Sequence, residues 1–275
     1  MASIARKLRR ANKTVGFVPT MGALHEGHLS LITEARQMSD VVIVSIFVNP
    51  AQFNEKEDFN KYPRDLTSDA ALLADYQVDY VFAPEPHEIY GENFSTYVYV
   101  EYLTETLEGA SRPGHFRGVA TIVTILFNTI RPDFAFFGQK DAQQVAVIKR
   151  LTRDLGFETE IVVLPTIREE SGLAMSSRNS LLTDEERRNA SIIYQGLRDA
   201  KIAFRSGERN ALKLADTVRQ KIETEPFARI DYVAVVDTET LVPLDKIGDD
   251  PALIAVAVRF GLVRLIDNIT LNKKQ

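Results

Sequence analysis

The sequence predicts an α/β protein with a parallel sheet, followed by a smaller α+β domain. Short apolar runs alternate with amphipathic helical patterns between residues 14 and 164, which is typical of repeated β-α-β units. The run 41–48 is almost continuously apolar, as expected for a strand covered by helices on both faces. After residue 166, helical patterns come first and strand patterns follow. We therefore predict a doubly wound, Rossmann-like domain over residues 1–166 and an α+β domain over residues 167–275.

An amphipathic helix is predicted to open the first domain. Residues 2–16 carry five basic side chains and no acidic one, which also fits a transit peptide. The helix is favoured because the segment runs directly into an apolar strand without a cleavage-like linker. The remaining strands are expected at residues 14–18, 41–48, 80–83, 96–101, 134–137 and 159–164. The remaining helices are expected at residues 27–39, 65–76, 118–130 and 142–155.

The second domain begins with helices. Thr183 and Glu186 form a capping-box pattern, which predicts a long helix over residues 184–204. A second helix is expected at residues 211–223, and strands at residues 230–236, 253–258 and 263–269.

Composition excludes several classes of function. Hydrophobic residues make up 45% of the 275 residues, which is enough for a substantial core. Lys and Arg total 33 against 38 Asp and Glu, a net charge of −5, so neither nucleic acid nor an anionic membrane is expected as a partner. The absence of Cys excludes disulfides, thiolate metal sites and a Cys nucleophile. No apolar run approaches the roughly 18 residues of a membrane span, and a cytoplasmic protein is expected.

Two histidines give the first indication of a ligand. His25 and His28 follow the first predicted strand and lie three residues apart at the start of a helix, so both imidazoles share one face. The unsatisfied N–H groups of a helix start attract anions. This arrangement suits a polyphosphate such as ATP.

Further polar clusters follow other predicted strands. Residues 49–53 and 138–144 come directly after strands of the parallel sheet, and ligands of such sheets bind beyond the carboxyl ends of the strands. We therefore expect these clusters to converge with residues 21–28 on one cleft. A fourth cluster, at residues 175–178, combines two hydroxyls with a guanidinium, which suits phosphate oxygens.

Each cluster also has a simpler interpretation. The histidines could cap a helix, or bind zinc with carboxylates, His87 or His115, although the spacing is not that of H-E-x-x-H. Lys140 and Asp141 could form an ordinary surface pair, and residues 176–178 a polar loop. The P-loop and G-x-G-x-x-G patterns are both missing from the sequence. The nucleotide-binding hypothesis therefore depends on the clusters in combination.

Five segments together resemble the pantothenate synthetase (pantoate–β-alanine ligase) family, within the His-x-Gly-His nucleotidyltransferases. They are residues 19–28 (PTMGALHEGH), 47–53 (FVNPAQF), 112–119 (RPGHFRGV), 136–141 (FFGQKD) and 172–179 (GLAMSSRN). The resemblance spans nearly the whole chain in order and spacing. One departure is Gln139, where the family usually has Glu.

The resemblance implies an AMP-forming ligase of pantothenate biosynthesis that acts as a homodimer. Its substrates would be ATP, pantoate and β-alanine, with Mg²⁺ carried on the ATP phosphates and no metal held by the protein itself. Pantoate would first react with ATP to give pantoyl adenylate and pyrophosphate, and β-alanine would then displace AMP. The family also includes a mobile loop, to which residues 175–178 correspond.

The resemblance implies a role for each matching residue. His28, His25 and Lys140 would be catalytic, with His28 as proton donor, and Gln52 and Gln144 would bind pantoate or β-alanine. Met21 and Phe53 would cover the pantoate methyl groups, and Asp69 is a candidate Mg²⁺ contact. Arg112 and His115 would lie near the site, and residues 54–60 would form either a lid or an idle loop. The ATP-binding set would be Met21, Gly22, Ala23, Leu24, His25, Glu26, Gly27, His28, Gly138, Gln139, Lys140, Asp141, Ile167, Met175, Ser176, Ser177 and Arg178.

Three rival functions stay open at this point. A nucleotidyltransferase acting on a phosphate ester would need additional basic residues for the second phosphate, whereas Gln52 and Gln144 favour a carboxylate. A non-catalytic nucleotide-binding regulator would not need Lys140 or both histidines. A zinc hydrolase would contain bound metal and lose activity with chelators in a way that removing Mg²⁺ alone does not reproduce.

Overall fold

The structure is a computed structural model that describes residues 1–54 and 56–273. The chain divides into two compact units. The first contains Met1–Gln139 and Val147–Pro165, and the second contains Lys140–Ala146 and the chain from Thr166 onward.

A parallel sheet forms the centre of the first unit. Within the described residues it has five strands in the order β3-β2-β1-β4-β5. The strands are β1 (Val15–Thr20), β2 (Val41–Ile46), β3 (Tyr80–Phe82), β4 (Phe134–Gly138) and β5 (Glu160–Leu164). Because the order reverses between β1 and β4, the loops after these two strands leave the sheet at its topological switch point, where such folds bind ligands. The predicted α/β class is confirmed.

Helices cover the sheet of the first unit. The apolar stripe of α7 is buried along most of its length, and Val18, Val42, Val44 and Phe136 are fully buried in the adjoining core. The helices are α1 (Ala2–Arg10), α2 (Glu26–Met38), α3 (Lys56–Lys61), α4 (Leu66–Asp75), α5 (Pro86–Ile89), α6 (Leu107–Ser111), α7 (His115–Ile130) and α8 (Ala142–Asp154). No helix in the described ranges is long and apolar enough to cross a membrane.

The second unit packs helices on an antiparallel sheet. Its helices are α9 (Asp184–Asn189), α10 (Ile192–Arg205) and α11 (Ala211–Glu223), and its strands are β6 (Ala228–Asp237), β7 (Ala252–Phe260) and β8 (Val263–Leu271), in the order β6-β7-β8. Leu197, Leu214, Val218 and Val256 are fully buried where the helices meet the sheet. The α+β character predicted for this part of the chain is confirmed.

The predicted strand at residues 96–101 is wrong. The segment alternates in burial, but its backbone bonds to side chains rather than to a neighbouring strand. The N–H of Val98 donates to Thr121 Oγ1 on α7 at 3.0 Å, and the carbonyl of Val100 accepts from Thr104 Oγ1 at 2.6 Å. Alternation alone does not distinguish a sheet strand from an extended segment lying on a helix.

The predicted single helix at residues 184–204 is two helices. The capping box forms as expected, since Thr183 Oγ1 accepts from the N–H of Glu186 and the Glu186 carboxylate accepts from the N–H of Thr183. The chain then tightens between the two helices, where the N–H of Ile193 bonds to the carbonyl of Ala190, three residues back rather than four. Ala190 is fully buried at this junction, so packing in the core accompanies the break.

Candidate active site

The loop between β1 and α2 brings two imidazoles together. His25 is the N-cap of α2, and His28 lies in its first turn. The two ring centroids are 4.1 Å apart. The predicted sharing of one face is therefore present.

Backbone hydrogen bonds orient both rings. Nδ1 of His25 accepts from the N–H of Gly27 at 3.1 Å, and Nδ1 of His28 accepts from the N–H of His25 at 3.4 Å. An Nδ1 atom that accepts carries no proton, so each neutral imidazole is protonated on Nε2. The simpler interpretation of helix-capping histidines and the functional one are thus compatible, because the capping bonds fix which nitrogen carries the proton.

Asp69 holds the loop that precedes the histidines. Its buried carboxylate accepts from the N–H of Ala23 and the N–H of Leu24, each at 2.9 Å. Gly22 has a φ of +82°, and a Cβ at this position would lie 2.8 Å from Asp69 Oδ2. A larger residue would therefore be strained there and would displace the carboxylate.

The segment after β2 forms a short 3₁₀ turn, Pro50–Gln52, that buries Gln52. Gln52 Nε2 lies 3.0 Å from the sulfur of Met21, so two residues assigned to the pantoate pocket are in contact. Phe53 packs edge-on against Phe59 at 5.4 Å and Tyr62 at 5.7 Å between ring centroids.

Helix α7 fixes this turn from behind. The buried ring of His115 bonds through Nδ1 to the carbonyl oxygen of Gln52 at 2.8 Å, and an Arg112 guanidinium nitrogen lies 3.4 Å from the same oxygen. Gly118 allows close approach, because a Cβ there would lie 2.6 Å from the nitrogen of Gln52 and even closer to the Ala51 carbonyl. His115 and Arg112 therefore contact the backbone that carries Gln52.

The segment after β4 contains the predicted lysine. Gly138 ends β4, and Gln139–Asp141 forms a 3₁₀ turn before α8. Lys140 Nζ lies 3.7 Å from Asp141 Oδ1, and the Lys140 side chain is 20% exposed. Gln144 is half-buried in the first turn of α8. In the second unit, Asn268 on β8 donates from Nδ2 to the Lys140 carbonyl oxygen at 2.9 Å.

A hairpin leads into the Met-Ser-Ser-Arg segment. Arg168 and Ala174 form an antiparallel bridge, and the N–H of Met175 donates to the carbonyl of Ile167 at 2.9 Å. The two residues assigned to adenine, Ile167 and Met175, are therefore held side by side.

Arg168 anchors this hairpin to β8. It makes a bidentate ion pair with the buried carboxylate of Asp267, at 2.6 and 3.0 Å. Its guanidinium lies 3.7 Å from the ring centroid of Tyr194, and it also donates to the Gly172 carbonyl at 3.2 Å. Asp267 and Asn268 are adjacent, so one short stretch of β8 holds both the hairpin and the Lys140 backbone.

A second anchor follows the segment. Ser176 Oγ accepts from the N–H of Arg178 at 3.3 Å, which starts the 3₁₀ turn Ser177–Leu181. The buried Asn179 donates to the Ala174 carbonyl and to Glu169 Oε1. Ser176, Ser177 and Arg178 are thus presented between two fixed ends.

The structure identifies residues that have no role in the sequence-based assignment. Asn49 lay within a recognised segment but had no assigned contact, and Tyr90, Glu169, Asp267 and Asn268 were not considered. The only available signal was a pair of polar residues, Asp267 and Asn268, inside an otherwise apolar strand. Among residues 1–54 and 56–273, three or more His, Cys, Asp or Glu side chains do not gather as a metal-binding group.

Comparison with known proteins gives a consistent result. A family model described as pantoate-beta-alanine ligase matches residues 1–270. The pantothenate synthetase of Pelotomaculum thermopropionicum is 52% identical over 271 residues, covering 98% of this chain and 96% of the relative. That of Carboxydothermus hydrogenoformans is 55% identical over 264 residues, covering 96% and 93%.

Solved structures agree with the sequence relatives. A pantoate-beta-alanine ligase (pantothenate synthetase) from Thermus thermophilus is 47% identical, with a TM-score of 0.91 and coverage of 96% of both chains. The Francisella tularensis pantoate-beta-alanine ligase, solved with beta-gamma ATP and beta-alanine, is 38% identical, with a TM-score of 0.79 and coverage of 98% and 95%. The family match along nearly the whole chain, together with the paired imidazoles, shows that this chain belongs to the pantoate-beta-alanine ligase family.

Proposed function

We propose that this chain joins pantoate to β-alanine with ATP, through a pantoyl-adenylate intermediate, and releases pyrophosphate and AMP. Family membership supports the reaction class. The structural observation that carries the proposal is the pair of imidazoles at the start of α2, each with Nδ1 bonded to the backbone. Two Nε2–H donors at a helix start suit the phosphates of a nucleotide.

The first chemical step joins two anions. A pantoate carboxylate oxygen attacks the α-phosphorus, and the bond to the pyrophosphate oxygen breaks, so negative charge moves onto the leaving group. Preorganised donors stabilise that charge without reorganising, and each is typically worth about 3 kcal/mol in a dry site. We assign this task to His25, His28 and Lys140, with His28 as the proton donor.

The other nucleotide contacts follow the family pattern. Ser176, Ser177 and Arg178 bind the β and γ phosphates with two hydroxyls and a guanidinium. The backbone at Gly138 and the Asp141 carboxylate bind the ribose, and the paired strands at Ile167 and Met175 flank adenine. Mg²⁺ enters as part of the substrate, carried on the phosphates.

Gln52 and Gln144 bind the acid substrate. A carboxamide donates to a carboxylate or hydroxyl oxygen without adding a charge that would repel the nucleotide. The contact between Gln52 and Met21 supports a pocket with a polar side for the carboxylate and an apolar side for the methyl groups, to which Phe53 contributes.

The second step needs β-alanine as a neutral amine, although such an amine has a pKa of about 10. Its nitrogen attacks the acyl carbon of the adenylate, and AMP leaves with the electron pair of the broken bond. Positioning beside an activated acyl group supplies much of the rate. A homodimer, a cytoplasmic location and a lid formed by α3 complete the proposal; Glu55, within the lid region, lies outside the described residues.

ATP–pyrophosphate exchange in the absence of amine tests the first step directly. We expect exchange with pantoate and none with phosphate esters. His28→Ala and Lys140→Ala should each lower the exchange rate by about 100-fold or more, because each removes a preorganised donor.

The exposed residues His87 and Lys149 provide matched controls, and His87→Ala and Lys149→Ala should retain full exchange. Full exchange in His28→Ala and Lys140→Ala would remove the roles assigned to those residues. Exchange supported by a phosphate ester would instead favour the rival nucleotidyltransferase.

A further inference from the structure

Asn49 is a buried carboxamide with every hydrogen-bonding position filled. Its Nδ2 donates to Gln52 Oε1 at 3.0 Å and to the Gly118 carbonyl at 3.1 Å. Its Oδ1 accepts from the N–H of Ala51 at 3.2 Å and from the Tyr90 hydroxyl at 2.6 Å. Asn49 is 1% exposed, so each of these bonds replaces one that water would otherwise make.

Two of these partners fix which end of the amide is nitrogen. A backbone N–H can only donate, and a backbone carbonyl can only accept. Ala51 therefore requires Oδ1 on its side, and Gly118 requires Nδ2 on the other. The nitrogen end must also face Gln52.

The polarity passes from Asn49 to Gln52. Because Asn49 offers a donor, Gln52 must turn its Oε1 toward it. The Gln52 Nε2 group then faces away, toward Met21. The turn consequently presents an N–H donor at this position, which suits an oxygen acceptor such as a carboxylate.

Tyr90 supports this arrangement from the end of α5. Its ring packs against Phe47 and Phe94, with centroids 6.3 and 4.9 Å away. Burial, together with the neighbouring Tyr97, raises the pKa of the Tyr90 phenol above its usual value. The hydroxyl therefore keeps its proton and remains a donor to Asn49 throughout the neutral range.

We propose that Tyr90 is a positioning residue for the acid substrate, acting through Asn49 on the amide of Gln52. The hydroxyl holds the Asn49 carboxamide in the plane from which Nδ2 reaches Gln52 Oε1. This inference deepens the proposed function and rests on the assignment of Gln52 to the pantoate pocket.

The test compares Tyr90→Phe with the wild-type protein in pantoate-dependent ATP–pyrophosphate exchange. Loss of one hydrogen bond to the relay should raise the KM for pantoate about three- to tenfold. The KM for ATP, the maximal exchange rate and the midpoint temperature of unfolding should stay close to wild type. Tyr99→Phe is the matched control, because the exposed Tyr99 donates to Glu105 Oε1 at 3.4 Å rather than to a buried amide.

A double-mutant cycle shows whether Tyr90 acts through Gln52. Gln52→Glu still accepts from Asn49 but presents an oxygen in place of the N–H, so pantoate binding should weaken by about 100-fold, as for a lost donor to a charged group. Adding Tyr90→Phe to Gln52→Glu should then cause no further loss. Equal effects of Tyr90→Phe in both backgrounds would overturn the relay.

The outcomes separate this inference from the proposed function. If wild-type protein shows no pantoate-dependent exchange, the proposed function fails. If wild-type exchange is normal and Tyr90→Phe leaves the KM for pantoate unchanged, only the role of Tyr90 fails. A Tyr90→Phe protein that loses midpoint temperature and both KM values together would show a structural role instead. Should that variant not fold, an unchanged pantoate KM in Gln52→Glu would itself overturn the relay.

Discussion

At the scale of single residues, hydrogen bonds to the backbone define the candidate site more than side-chain identity alone. His25 and His28 are directed by backbone N–H groups, and Gln52 by a neighbouring amide. Asp69 belongs to the same class. The sequence offered it as a Mg²⁺ contact, whereas in the structure both of its oxygens accept from the loop before α2.

Asp69→Asn should destabilise this loop. One of its two acceptors becomes an amide nitrogen, so the N–H of Ala23 or Leu24 loses its partner, at a cost of about 1–3 kcal/mol in the free energy of unfolding. We expect a higher KM for ATP that does not recover when Mg²⁺ is raised. The measurements are chemical denaturation and exchange kinetics across a Mg²⁺ series.

The exposed Asp75, at the end of the same helix, supplies the comparison, and Asp75→Asn should behave as wild type. Recovery of Asp69→Asn at high Mg²⁺ would show that the carboxylate acts through the metal.

At the scale of elements, the hairpin over residues 167–175 depends on one ion pair. The Arg168 side chain is 17% exposed and that of Asp267 only 3%, so water screens the pair weakly. The Arg187–Glu169 pair nearby has a similar two-bond geometry, but Arg187 is 51% exposed. Exposed pairs contribute little to stability.

Arg168→Lys should therefore be more harmful than Arg187→Lys. Lysine keeps the charge but loses the bidentate geometry and the stacking on Tyr194, and we expect a loss of about 1–3 kcal/mol in the free energy of unfolding. The KM for ATP should also rise, because this hairpin leads into Ser176–Arg178. Thermal unfolding and exchange kinetics would show equal effects of the two substitutions if the ion pair were unimportant.

Elements with a strong local signal were predictable from the sequence. The helix at α7 has a clear apolar stripe, and the strand at β2 is uniformly apolar. The strand predicted at residues 96–101 failed because the bonds that hold Val98 and Val100 come from threonines distant or offset in sequence. The Arg168–Asp267 pair joins residues 99 positions apart, and single-sequence patterns carry no information about such a contact.

At the scale of the whole molecule, each unit has its own buried core and its own means of stabilisation. In the second unit, charged side chains bridge the three strands of the described antiparallel sheet. Asp231 lies at a bulge in β6 and pairs with Arg264 on β8 at 2.6 Å and with Arg259 on β7 at 3.3 Å. Burial raises the pKa of Asp231, but the two arginines outweigh this effect and the net pKa lies below the usual value.

This shift predicts the pH dependence of stability. A carboxylate with a lowered pKa stabilises the folded state above the unfolded value, about 3.9, and that contribution is lost as the pH falls through the lower folded value. Asp231→Asn should therefore reduce the midpoint temperature at pH 7, with the difference from wild type shrinking in acid below about pH 3.5. Thermal unfolding across a series from about pH 3 to pH 7 measures it.

Asp249→Asn serves as the reference, since Asp249 is 94% exposed in its pair with Lys273 and should contribute little at any pH. A constant difference between Asp231→Asn and wild type across the whole pH series would rule out the titration of Asp231 as its source.

The close approach of α7 to the turn at Pro50–Gln52 has a consequence for redirecting this enzyme toward other acids. Any side chain at position 118 would meet the main chain of Ala51 and Gln52, so libraries that randomise this position will return mostly misfolded clones. Productive diversity belongs at Met21 and Phe53, where side chains rather than main chain meet. Resistance substitutions against inhibitors of the acid pocket should also arise at those two positions and spare Gly118.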